Sequence, residues 1–238
     1  VPPRFDRSRL PEILERRQAW IEKTRSRLLR DRNNTPDDWD HQKPESILFR
    51  WRSDTVDDNF SGSSSSDSAL ETWAVHYPPL PGNQTTCIPD KAKQLTIKGN
   101  VDHLPACQAV LRQWLARRAQ RDLVPWLRQL SFELDLPCRN SSVRGQKTRW
   151  ASCSSHKDIS LNFKLLFLPR PLVHYVLVHE LCHTVHMNHS RDFWHLVGEK
   201  MPDYKPFKTH LRKGWCYVPR WVENKCTVLR AVLSPMLS

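Results

Sequence analysis

The sequence predicts a mixed α/β (α+β) fold organised around one buried helix. Two kinds of segment alternate along it. Long stretches carry apolar residues at helical spacing (10–30, 102–134, 171–185), and short runs read as strands (47–52, 72–77, 94–98, 159–163). The last helical stretch is apolar almost all round, which marks it as central. With 39% hydrophobic residues in 238, the chain can bury the core of one large domain or two small ones.

Each element has a local reason. Leu10, Ile13, Leu14, Trp20, Ile21, Leu28 and Leu29 approximate one face of a helix over 10–30, which Asn33-Asn34-Thr35-Pro36 ends. The strands at 47–52 and 72–77 are separated by a Ser-rich flexible loop at 61–68. Prolines and Gly82 make 79–85 another loop, and a short strand at 94–98 precedes Gly99 and Asn100. Asp102 is placed to cap the next helix, in which Cys107, Val110, Leu111, Trp114 and Leu115 share a face. Pro125 should kink or divide this helix before it ends near Leu134. Residues 147–163 read as a hairpin with arms at 150–153 and 159–163, the second burying Ile159, Leu161 and Phe163 on one face. Pro169-Arg170-Pro171 starts the central helix, Asn188 is expected to stop it, and Ser190 caps a further helix over 191–200. The expected division is 1–92, a helix and strands with Ser/Pro-rich loops, and 93–238, a domain holding the chemistry.

That chemistry lies in His179-Glu180-Leu181-Cys182-His183, an H-E-x-x-H segment on the central helix. Residues four apart share a helix face, so His179 and His183 can offer nitrogens to one ion. Six of the eleven histidines fall between 174 and 195, so the third ligand has more than one candidate. On a continuing helix His186 would share the face, but about 10 Å along the axis from His179, too far for tetrahedral sharing. His189 follows a turn and can fold back, so it is the expected third ligand. The spacing 179, 183, 189 is that of H-E-x-x-H-x-x-G-x-x-H, with His186 where that pattern has glycine. The turn must therefore be made differently. His174 and His195 read as structural, and Cys182 points away from the ligand face. Three histidines suit zinc, and also nickel, cobalt or manganese, and leave a position for water. Zinc lowers the pKa of that water to about 7, and Glu180 is placed to take its proton. Buried polar groups on an apolar helix need partners, and a metal meets that need.

Composition narrows the class. Seven cysteines at irregular spacing, with no C-x-x-C, suggest free thiols in a reducing compartment. No run approaches the roughly 18 apolar residues of a membrane span and none reads as a signal peptide, so a soluble, cytoplasmic protein is expected. The net charge of +12, with arginine dense at 4–30, 112–149 and 212–230, could attract nucleic acid or nucleotides, but no nucleic-acid module is visible and a solvated basic surface explains it as well.

The segments Thr148-Arg149-Trp150-Ala151-Ser152-Cys153-Ser154-Ser155, Ile159-Ser160-Leu161-Asn162, His179-Glu180-Leu181-Cys182-His183, Asn188-His189-Ser190 and Phe193-Trp194 together resemble the YgjP-like family of zinc-metallopeptidase-type proteins over roughly 94–215. The resemblance implies a zincin-like core, with His179, His183 and His189 as zinc ligands and Glu180 as general base. It implies that the strand at 159–163 is the edge strand beside the cleft, where an extended peptide can pair. Arg149 and Tyr204 match residues usual in the family and are candidates to stabilise an oxyanion; a surface ion pair and core packing explain them equally well. Ala151 stands where glycine is common, and 53–92 reads as an altered insert. The chain opens Val1-Pro2-Pro3 without methionine, where a similar V-P-P in the family ends a β-hairpin; that hairpin is expected to be missing, leaving an exposed strand edge.

The leading reading is a zinc-dependent hydrolase that cleaves peptide bonds. The alternatives are a metal-dependent nucleotide pyrophosphohydrolase acting on nucleoside triphosphates, and a non-catalytic zinc-stabilised module binding nucleic acid or protein.

Overall fold

Strand pairing in the computed structural model begins at Ser46; the described residues are 43–50, 70–79 and 84–223, with the helical positions Glu15, Gln18, Ala19 and Glu22. The chain divides into two units, residues 1–42 and 43–238. The rest of the helix predicted at 10–30, and the Ser-rich loop at 61–68, lie outside the described residues.

The second unit opens with a four-stranded sheet of β1 (Ser46–Phe49), β2 (Glu71–His76), β3 (Thr86–Pro89) and β4 (Gln94–Lys98), in the order β1-β2-β4-β3. β1 and β3 run antiparallel to their neighbours, and β2 pairs with β4 in parallel. Alternation places Ile47, Phe49, Trp73, Val75, Leu95 and Ile97 on the buried face. β3 has no such alternation, is mostly exposed and ends in Pro89, so only pairing to β4 makes it a strand. The division expected between 92 and 93 falls between β3 and β4, inside this sheet. At the end of β4, Gly99 adopts φ +101°, and a Cβ there would lie 2.3 Å from the Gln84 carbonyl oxygen.

Helix α1 (Leu104–Glu133) follows and packs on strands of both sheets. Its cap differs from expectation. The N-cap is His103, whose amide donates to Asn100 Oδ1 at 3.2 Å, while Asp102 instead meets Lys43 Nζ at 3.5 Å. α1 also runs unbroken through Pro125. That proline is exposed while Leu123, Val124 and Leu127 are buried, so water can satisfy the carbonyl that loses its donor and core packing holds the helix together.

Beneath the apolar face of the first sheet lies one ionic cluster. Arg118 of α1 donates to both carboxylate oxygens of Glu71, at 2.6 and 3.1 Å, and to Asp122 Oδ2 at 3.0 Å. The Trp73 indole donates to Glu71 at 2.6 Å, and the Phe49 ring sits 4.6 Å under the guanidinium. Burial alone would raise the Glu71 carboxyl, but the Arg118 and Trp73 hydrogen bonds outweigh it and hold the pKa below its usual value.

A second sheet contains β5 (Asn140–Arg144), β6 (Ala151–Cys153) and β7 (Asp158–Asn162), in the order β5-β7-β6. The predicted hairpin is β6 and β7, closed by Ser154 and Lys157, the latter at φ +63°. The strand at 159–163 is not the edge, however. β5, polar and without an apolar rhythm, pairs in parallel along its outer side, which makes β7 central and leaves β6 at the edge. Helix α2 (Arg170–Cys182) carries the motif, followed by α3 (Arg191–Lys200) and α4 (Tyr204–Leu211). The fold is therefore α+β, with four helices and two small mixed sheets among the described residues. None of these helices is long and apolar enough to cross a membrane. The six described cysteines are all unpaired.

Candidate metal centre

His179 lies in the last turn of α2, and His183 is its C-cap, one turn on. The helix stops there rather than near Asn188. Thr184, Val185 and His186 close it with amide bonds back to Leu181 and Cys182, and no residue from 183 to 190 takes a positive φ. A turn built without a left-handed residue does not need glycine, which explains why His186 can occupy that place. Asn188 instead accepts the Ser190 amide on its Oδ1 at 3.3 Å. The chain reverses and delivers His189.

The three imidazoles converge. His179, His183 and His189 each place a ring nitrogen within 4.8 Å of the others. His189 Nε2 is 3.1 Å from His179 Nε2, near the roughly 3.3 Å expected between two nitrogens of a tetrahedral zinc site. The carbonyl of His186 lies 2.9 Å from His183 Nδ1, so a proton on that nitrogen leaves Nε2 with a free lone pair. Burial, with His183, His189 and Lys208 nearby, holds His179 down to about 3, and burial lowers His183 as well. Both rings are therefore neutral donors at physiological pH. His179 Nδ1 is buried without a partner. Three converging ring nitrogens, one of them on a ring with an unsatisfied buried atom, form a donor set that fits a divalent metal.

Ser190 caps α3 as expected, its Oγ accepting the Phe193 amide at 3.3 Å. That cap aims Phe193 and Trp194 at the centre. Phe193 stacks on His183 with ring centres 4.4 Å apart, and Trp194 stacks on His189 at 5.6 Å. Ser190→Ala is expected to lower stability by about 1 kcal/mol; an unchanged urea midpoint would mean that the cap contributes nothing. His174 stacks on Trp126 of α1, and His195 faces Glu199, both away from the cluster. Cys182 is fully buried and takes no part in it.

Glu180 sits beside the histidines and is 7% exposed. Burial pushes its carboxyl up to about 7, with the Arg149 guanidinium pulling the other way. The centre opens into a cleft of about 510 Å³ whose walls include Arg149 to Cys153, Tyr175, Met187 and Leu211. Arg149 thus faces the cleft and forms no ion pair with another described residue. Tyr204 lies outside the lining and stacks on Trp194.

One residue behind the cleft had little sequence signal. Asn162 is fully buried, and its Nδ2 donates to the carbonyls of Gln146 and Arg149, both at 2.8 Å, while its Oδ1 accepts the Lys164 amide. It ties the loop before β6 to β7. Its place in the segment Ile159-Ser160-Leu161-Asn162, ahead of the mostly apolar stretch 163–168, is the hint of it in the sequence.

A model of the YgjP-like metallopeptidase domain matches residues 75–214. The chain belongs to the YgjP-like family. The matched region spans every residue of the His179, His183 and His189 cluster, so this YgjP-like domain is that of a metal-dependent peptidase. The crystal structure of the metallopeptidase zymogen of Pyrococcus abyssi abylysin is 25% identical in sequence, covering 37% of this chain and 89% of that one, with a TM-score of 0.34. No curated protein matches significantly. The YgjP-like match speaks for a peptide substrate and offers no support for a nucleotide or nucleic-acid partner.

Proposed function

We propose that this protein is a zinc-dependent peptidase in which His179, His183 and His189 hold the ion and Glu180 is the general base and acid. The observation that carries this is the convergence of three imidazoles beside a buried carboxyl at the foot of a cleft. When bound, zinc supplies Lewis acidity, which acidifies water and polarises a carbonyl. Glu180 holds the water's proton on its carboxylate and passes it to the leaving nitrogen. Arg149 lines the cleft and forms no ion pair with another described residue, so we assign it, rather than Tyr204, to the oxyanion.

The edge of the sheet suggests how a peptide is oriented. Asn162 donates to the Trp150 carbonyl and Ser154 donates to that of Asp158, both at 2.9 Å. In an antiparallel ladder the intervening Ala151 and Cys153 turn their amides and carbonyls away from β7. Those groups are free to pair with the main chain of an extended substrate along β6.

The test is to purify the protein, measure its metal, and present unfolded proteins, peptides and nucleoside triphosphates in parallel. Close to one equivalent of zinc, with peptide cleavage that a chelator abolishes and zinc restores, is the expected result. Zinc-loaded protein that cleaves only nucleotides, or nothing, overturns the reading.

A further inference from the structure

His189 is the exposed member of the cluster, and it lies in the irregular segment between α2 and α3 rather than in a helix. His179 and His183 are held by α2 itself, and His183 also by the His186 carbonyl. Among the described hydrogen bonds, His189 has only the contact with His179. What orients it is ring packing: Phe193 meets it edge-on at 4.9 Å, and Trp194 stacks on its face. The Trp194 indole lies 24° from parallel with the His189 ring. Tyr204 stacks on Trp194 with centres 5.6 Å apart and planes 14° from parallel. The Lys208 ammonium sits 3.4 Å from the centre of the same indole. Tyr204 and Lys208 are four residues apart and so share one face of α4. One helix face therefore clasps Trp194, and Trp194 faces the histidine.

We propose that Trp194, clasped by Tyr204 and Lys208, is a positioning residue that presets His189 for the metal. A ligand outside regular structure must be ordered when the ion binds, and that ordering opposes binding. An indole already packed by a cation and a second ring removes the freedom beforehand. The effect should appear mainly as slower metal loss, because the ring keeps His189 in place while the ion is bound. Tyr204 then acts through its ring rather than its hydroxyl.

The inference rests on His189 being a ligand, and the experiment separates the two. Zinc affinity and the rate of zinc loss to a chelator are measured for wild type, Trp194→Ala, Trp194→Phe and His189→Ala, and for Trp194→Ala combined with His189→Ala. Apo-protein melting is followed in each. Trp194→Ala is expected to weaken zinc binding roughly 10-fold, within the range for residues that orient metal ligands, and Trp194→Phe to restore most of it. Trp194 also meets the His179 ring at 5.8 Å, so in the His189→Ala background the Trp194 substitution should lose most, though not all, of its effect. Tyr204→Phe should leave zinc affinity unchanged and Tyr204→Ala should lower it, which also serves if Trp194→Ala does not fold. Equal zinc affinity in wild type and Trp194→Ala, or in wild type and Tyr204→Ala where Trp194→Ala does not fold, overturns the proposal. So does an undiminished Trp194 effect without His189. Wild type that binds no zinc, or His189→Ala that binds it normally, defeats the underlying assignment instead.

Discussion

Glu180→Gln is expected to lower peptide cleavage by about 10²–10⁴-fold while leaving zinc in place. Glutamine fills the same space but cannot accept a proton, so the change removes proton transfer and spares the three imidazoles. Metal content near that of wild type with activity lost is the expected pair of results. Activity within ten-fold of wild type would remove Glu180 from the mechanism. The same substitution carries a second, opposite signature. In the metal-free protein burial raises the Glu180 pKa from 4.5 to about 7. Below 4.5 both folded and unfolded chains carry the proton. As pH rises from there to 7 the unfolded chain ionises first, so stability is lost across that window. Metal-free Glu180→Gln should therefore be more stable than metal-free wild type at pH 8, by an amount on the order of a few kcal/mol, and so melt at a higher temperature.

Arg118→Leu is expected to destabilise the protein by about 3–5 kcal/mol, a large part of the total stability of a typical domain. It leaves Glu71 and Asp122, both nearly buried, without their shared cation, and removes the guanidinium packed over Phe49. The urea midpoint checks this, and a fall equivalent to less than about 1 kcal/mol would mean that the cluster contributes little. The pH dependence has a definite sign. The folded Glu71 pKa is depressed, so its contribution is present above the unfolded value of 4.5 and is lost as pH falls through the lower folded value. Without Arg118, burial dominates the Glu71 carboxyl, and the variant should lose stability as pH rises above 4.5.

The elements legible in the sequence are those whose signal is local. Ile47 and Phe49, Trp73 and Val75, and Leu95 and Ile97 alternate along strands, and all are buried. Cys107, Leu111, Trp114 and Leu115 are buried at helical spacing on α1. Ser190 caps α3, because an N-cap needs only a side-chain oxygen and an amide three residues on. The elements that were not legible depend on distant partners. β3 and β5 are strands because β4 and β7 lie beside them, and neither carries a pattern of its own. Pro125 signals a break that the packing of α1 overrides.

The centre divides in the same way. By itself the sequence determined that His179 and His183 share a helix face, that Glu180 stands beside them, and that His189 is better spaced than His186 to join them. Helix geometry relates residues four apart whatever surrounds them. Only the tertiary structure decided the rest. It made β6 rather than β7 the edge beside the cleft, because β5 takes the outer side of β7. It turned the His186 carbonyl to His183 and set Tyr204 behind Trp194 instead of in the cleft lining. It also raised the Glu180 carboxyl, since burial is a property of everything packed around a residue and no spacing along the chain encodes it.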